Sequence, residues 1–347
     1  MSAETVATLL LPFEKGVLPR PGPRRALFLR AEFAPGIDAA WREALVVEQT
    51  WRPAFDPWQR LGVPSLADIG REHDENVFDL VLVQLTKDRQ ESFGLIERGW
   101  RKLVPGGTLV AAGPKDQGAV AVERLLASLH PLVGHLPKHG CRVFWLKKTQ
   151  TKPAFETALQ EWRARFLPRV LVADRFVSRP GLFSWDRIDR GSAFLVEHLP
   201  KTISGNVADF GCGWGFVAAS LLDRCDGIET LACLDAERTA LDCAKENLSG
   251  ARVPVAYHWA DLTKPLTGMK AFDWIVSNPP FHDGALGDPC IGQKFIATAK
   301  AALASSGQLV LVANRHLPYE RALREGFGTF EFLAEGRSFK VLATQRA

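Results

Sequence analysis

The chain has 347 residues, enough for two domains that each bury a core, and it is 46% hydrophobic with a formal net charge of +4. No apolar run approaches about 18 residues, which excludes a membrane-spanning helix, and the opening Met1-Ser-Ala-Glu-Thr5 lacks the basic region of a signal peptide, so a cytoplasmic protein is expected. The six cysteines form no C-x-x-C pair and have no histidine at zinc spacing, so neither disulfide nor metal site is expected.

In chain order, Ala26 to Arg30 reads as a short strand after a Pro/Arg turn, and Trp41 to Val47 leads into another that ends at Glu48. Phe78 to Gln84 is a third apolar strand. A helix-like stretch from Glu91 to Leu103 follows, and Pro105-Gly106-Gly107 passes the chain into Thr108 to Ala112. Alternating strands and helices predict a doubly wound, largely parallel α/β sheet. From Cys141 to Arg190 the chain carries eleven Lys/Arg against five acids, a basic band on an otherwise near-neutral protein. Such a band suits a phosphate-contact surface, and a solvated linker equally.

The second half repeats the plan of the first. Phe272-Asp-Trp-Ile-Val-Ser277 echoes Phe78-Asp-Leu-Val-Leu-Val83, and Leu303 to Val310 echoes Leu103 to Val110. Only the second half carries glycines at alternate positions after its first strand, in Asp209-Phe-Gly211-Cys-Gly213-Trp-Gly215, followed by a helix from Phe216 to Leu222. Glycine permits the tight strand-to-helix turn and lets backbone approach a ligand, while the helix start favours an anion. A dinucleotide fold wants G-x-G-x-x-G, but position 216 is Phe. The Asp-x-Gly-x-Gly-x-Gly form points instead to S-adenosylmethionine. Asp235, ending the strand from Leu231, is placed for a ribose diol. Asp261, after the strand-like Val253 to Ala260, is placed for the adenine amino group, or caps a helix.

The strand Phe272 to Ser277 stops at Asn278-Pro279-Pro280-Phe281-His282, because two prolines cannot continue a ladder. This turn offers an exocyclic amine two acceptors, Asn278 Oδ1 and a backbone carbonyl, with Phe281 to stack on the ring. Beyond it come Gly307 to Glu320 and two apolar runs, Phe327 to Glu331 and Arg337 to Ala343, which suit an antiparallel end to the sheet.

With these residues in hand, the chain resembles the bacterial ribosomal RNA guanine-N2 methyltransferases, the RsmC-type enzymes and their large-subunit relatives. The likeness runs through Leu182-Phe-Ser184, Asp189-x-Gly-Ser192, the glycine loop, Ser277 to Gly284, Ala313-Asn-Arg-His-Leu-Pro-Tyr319 and Phe339-Lys-Val-Leu342. Trp214 and Asp288-Pro-Cys290 depart from the pattern. The resemblance implies two methyltransferase-like domains, 1–160 without a cofactor site and 161–347 active. It implies Asn278, Pro279 and Phe281 as catalytic, with Asp209, Gly211, Gly213, Gly215, Asp235, Asp261 and Asn278 binding S-adenosylmethionine. Pro280, Phe281 and His282 would touch substrate, a guanine of ribosomal RNA, with the small subunit favoured over the large, and the protein would be a monomer. Protein glutamine or DNA adenine as acceptor, or a catalytically silent RNA-binding factor, remain the alternatives that the residues themselves allow.

Overall fold

The computed structural model describes residues 2–70, 75–269, 271–280 and 289–346. The chain divides into two compact units, Met1–Leu167 with Arg179–Gly181, and Pro168–Ser178 with Leu182–Ala347.

In the first unit β1 (Ala26–Leu29), β2 (Leu45–Glu48), β3 (Ser65–Leu66), β4 (Phe78–Gln84), β5 (Leu103–Pro114), β6 (Leu132–Lys138) and β7 (Cys141–Lys147) form one sheet in the order β3-β2-β1-β4-β5-β7-β6. β1 to β5 pair in parallel, whereas β7 runs antiparallel to both β5 and β6. β1 is buried along its whole length, as expected for a central parallel strand covered on both faces. The helix Arg89–Lys102 starts where the Asp88 carboxylate accepts from Gln90 and Glu91 N–H groups. Helix Pro153–Phe166 also belongs here. It buries Phe155, Trp162 and Phe166 and stacks Trp162 on Phe93 at 4.6 Å between ring centroids. The division therefore falls past this helix rather than at residue 160, because its aromatic face is part of the first core.

The second unit opens with the hairpin β8 (Arg169–Val172) and β9 (Phe176–Ser178). Its sheet comprises β10 (Gly205–Phe210), β11 (Ile228–Asp235), β12 (Val255–Trp259), β13 (Phe272–Ser277), β14 (Leu303–Asn314), β15 (Glu331–Glu335) and β16 (Phe339–Gln345). The order β12-β11-β10-β13-β14-β16-β15 repeats that of the first sheet. The repeat reaches fine detail. β5 and β14 are both 12 residues long with the same inside-outside pattern. The register slips at the same place, since Phe78 pairs with Leu103 but Leu80 with Thr108, and Phe272 with Leu303 but Trp274 with Gln308. The fold is thus the expected α/β class with tandem sheets and an antiparallel end.

One expectation needs correcting. Phe327 does not begin a strand; it ends the helix Tyr319–Phe327, whose buried residues Tyr319, Leu323 and Phe327 recur every fourth position. Gly328, at φ 87°, stops that helix, and β15 starts at Glu331. No helix among the described residues is long and apolar enough to cross a membrane.

Candidate functional site

β10 is an inner strand of the second sheet, between β11 and β13, and its C-terminal end is where open α/β sheets hold ligands. The chain leaves it through Gly211, Gly213 and Gly215, all in the left-handed region at φ 75°, 53° and 92°. The three glycines serve different ends. A Cβ at Gly215 would stand 3.2 Å from the Ala244 backbone, so this residue lets two helices pack closely. A Cβ at Gly213 would meet nothing within 4 Å, so the space above it belongs to the cleft. Helix Phe216–Arg224 then begins at Gly215, which has no side chain of its own to cap the first amides.

Two carboxylates support this loop. Asp235 ends β11, where its Oδ2 accepts from Gly213 N–H at 2.8 Å and its Oδ1 from Glu237 N–H at 2.8 Å. Burial pushes its pKa up to about 6, against the pull of those two amides. Asp209 lies deeper, 1% exposed, and its Oδ2 has no hydrogen-bond partner among the described residues. Burial first, and the Asp235 charge second, push Asp209 up to about 8. Asp261 stands apart from the cleft lining. Burial acts to raise its pKa, but Lys264, 2.8 Å from Oδ2, and the Thr263 donors on Oδ1 hold it below the usual value.

The Asn-Pro-Pro turn sits beside the loop. Ser277 Oγ donates to Phe210 O at 2.7 Å, locking the end of β13 to the end of β10. Asn278 Nδ2 donates to Asp189 Oδ2 at 3.1 Å and to Ser192 Oγ at 2.9 Å. Asp189 is also the N-cap of helix Arg190–Glu197, accepting from Ser192 N–H at 2.8 Å. An ionised carboxylate cannot donate, so the amide nitrogen must face it and Oδ1 is turned the other way. Pro279 is buried and Pro280 exposed.

One cleft gathers these parts. It is lined by Gly211, Cys212, Gly213 and Trp214 of the loop, Phe216 and Val217 of the following helix, and Asn278, Asp189, Ser192, Phe183 and Ser184. The structure thus brings Gly211, Gly213 and Asn278 together and attaches Asp235 through the Gly213 amide. It places Asp209 and Gly215 beneath as supports, and leaves Asp261 to one side. Phe281 and His282 lie outside the described residues. The Trp214 ring is buried against Phe176 and Phe216, with centroids 5.2 and 5.9 Å away. Sequence reading did not name Asp189, Ser192 or Phe183 as site residues, although each lay in a quoted motif. Phe183 is 62% exposed at the cleft lip.

The corresponding places in the first unit are filled by ion pairs. Arg30 follows β1 as Gly211 follows β10, also left-handed at φ 56°, and its Nε lies 3.0 Å from Glu91. Glu48 ends β2 as Asp235 ends β11, but Arg98 Nη1 donates to both its oxygens at 2.7 and 2.6 Å and Ile69 N–H to Oε2 at 2.8 Å. The basic band is likewise partly committed. Lys148 donates to the Trp100 and Leu103 carbonyls, Arg142 pairs with Glu123, and Arg175 with Asp223. Cys141, Cys212, Cys225, Cys233 and Cys243 are free and buried.

Comparison with known proteins identifies relatives of the chain. Residues 173–343 match the Methyltransferase small domain family. Ribosomal RNA small subunit methyltransferase C of Shewanella loihica is 33% identical over 281 residues, 78% of this chain and 78% of that relative. The protein of the same description from Psychromonas ingrahamii is 30% identical over 271 residues, 78% of this chain and 76% of the relative. Among solved structures, the T. thermophilus 16S rRNA N2 G1207 methyltransferase, in complex with AdoMet and guanosine, superposes with a TM-score of 0.79 at 24% identity. That match covers 99% of this chain and 92% of that one, and it speaks to the fold.

Proposed function

The chain belongs to the ribosomal RNA small subunit methyltransferase C family, and from that membership we propose that it methylates the exocyclic N2 amine of a guanine in small-subunit ribosomal RNA, with S-adenosylmethionine as cofactor. The observation that carries the reading is the fixed amide of Asn278, whose nitrogen is held by Asp189 and Ser192. Its oxygen, without a hydrogen-bond partner among the described residues, is an acceptor for a donor such as an N–H of an amine.

S-adenosylmethionine supplies a methyl group on a positively charged sulfur. The residues fit such a molecule. Gly213 leaves open the volume that a Cβ would fill, and the start of helix Phe216–Arg224 suits a carboxylate. Asp235 uses one lone pair of each oxygen on Gly213 and Glu237, keeping the others for a ribose diol. The adenine amine is assigned to Asp261 on the sequence alone, since Asp261 lies outside the cleft lining and its oxygens are engaged by Thr263 and Lys264.

Asn278 Oδ1 accepts one N–H of the guanine amine and the Pro279 carbonyl accepts the other. Both acceptors draw the nitrogen towards a pyramidal geometry, freeing its lone pair from the ring and aiming it at the methyl group. Positioning then supplies most of the acceleration. No strong base is needed, because the nitrogen sheds a proton to water after transfer. The Pro279 ring is buried, which fixes where its carbonyl points. Phe281 and His282 are assigned to the base on the sequence alone.

Asn278→Ala should bind cofactor and RNA as wild type does, with kcat lower by roughly a hundred- to a thousand-fold, as for loss of one aligning hydrogen bond. A variant transferring methyl groups at near wild-type rate would reject the assignment.

A further inference from the structure

The glycine loop and Asp235 lie on β10 and β11, on one flank of β13, and the other flank carries β14 and β16. A methyl acceptor reaching Asn278 has to come in from that second flank, since the first holds the donor. At the same end of the sheet, where Asn314 of β14 pairs with Phe339 of β16, an open dish is lined by Asn314, Arg315, His316, Arg337 and Ser338. No acid lines it. Arg315, His316, Arg337 and Ser338 are exposed, and neither arginine has an acidic partner among the described residues. We propose that this dish binds a backbone phosphate of the RNA flanking the target guanine. This rests on the reaction proposed above.

The walls are built rather than incidental. Arg315 N–H donates to Ser338 O at 2.9 Å, its guanidinium to Gly336 O at 3.4 Å, and Leu317 N–H closes a turn onto Asn314 O at 3.0 Å. Beneath them Lys340, only 3% exposed, donates to Leu317 O at 2.8 Å and pairs with Glu320. The Arg315 guanidinium is therefore tied to the neighbouring loop over a braced floor, which lowers the ordering cost of gripping an anion. Two arginine forks, with a serine hydroxyl and an asparagine amide that can also donate, form a donor-rich set with no carboxylate, and planar forks suit the oxygens of a phosphodiester. The dish is also next to the reacting turn. β13 and β14 are parallel neighbours about 4.8 Å apart. Moreover, a Cβ at Gly191 would lie 3.2 Å from the Phe339 ring, two residues from the Asp189 that clamps Asn278.

The test compares the full-length wild type with Arg315→Gln/Arg337→Gln, using small-subunit RNA and S-adenosylmethionine. The double variant should raise KM for RNA about tenfold. It should flatten the slope of log affinity against log salt by about 0.7, the value for one single-strand phosphate. Cofactor affinity and kcat at saturating RNA should stay at wild-type values, and Arg315→Lys/Arg337→Lys should restore most of the salt slope. If the double variant destabilises the fold, Arg337→Gln alone, on an exposed turn, should remove about half of the slope change. Wild-type KM and salt slope in these variants would overturn the dish, even with N2-methylguanine forming normally. Loss of RNA affinity in the variants of a protein that makes no N2-methylguanine would sink the reaction instead and leave the dish standing.

Discussion

Asp189 decides which way the Asn278 amide faces, because a carboxylate accepts only. Asp189→Asn is a sharp probe of that role, since asparagine caps a helix about as well as aspartate and stability should change by less than about 1 kcal/mol. Its amide can donate as well as accept, so the orientation of Asn278 is no longer imposed. We expect kcat to fall roughly ten- to a hundred-fold with cofactor affinity unchanged, the cost of a misaligned rather than a missing acceptor. Steady-state kinetics with a kcat within twofold of wild type would contradict the clamp. Asp209 gives a second test, on stability. Its folded-state pKa, about 8, lies above the ordinary carboxylate value, so the folded chain keeps a proton that the unfolded chain releases. Ligand-free stability should therefore fall as pH rises towards 8, with Asp235, near 6, contributing to the lower part of the fall. Asp209→Asn should flatten the decline between about pH 6 and 8 in thermal unfolding. Parallel curves for the two proteins would show that burial is not what sets this group.

At the scale of elements, the glycine loop divides its labour in a way that spacing alone does not reveal. Gly215→Ala meets Ala244 at a left-handed φ and should cost about 1–2 kcal/mol or more in stability. Gly213→Ala projects its methyl into the open cleft, so it should weaken S-adenosylmethionine binding while leaving the melting temperature nearer to wild type. Calorimetry and thermal melts on the two variants separate the roles, and equal effects on both readouts would refute the division. The pattern Gly211, Gly213, Gly215 and the stop at Asn278 were legible because each rests on local backbone chemistry. The partnership of Asn278 with Asp189, 89 positions upstream, was not, since no periodicity links residues on separate elements. The helix Tyr319–Phe327 was missed differently. Its buried residues recur every fourth position, but Phe327 and the apolar residues after Gly328 were read together as strand.

Over the whole chain, two sheets share one strand order and one register irregularity, yet the places that form the cleft in the second unit hold ion pairs in the first. That repeat was visible as Phe78-Asp and Phe272-Asp, whereas the filling by Arg30 with Glu91 and Glu48 with Arg98 depends on contacts that no linear pattern records. Equilibrium titration should accordingly find one S-adenosylmethionine per chain, and two at saturation would show that the first unit keeps a working site. The central claim is the identity of the methylated atom. Small subunits from a strain lacking the gene, incubated with this protein and S-adenosylmethionine carrying a labelled methyl group, should yield label in N2-methylguanosine at a single position of the small-subunit ribosomal RNA. Nucleoside analysis that finds the label in adenine, in protein glutamine or only in large-subunit RNA would contradict it.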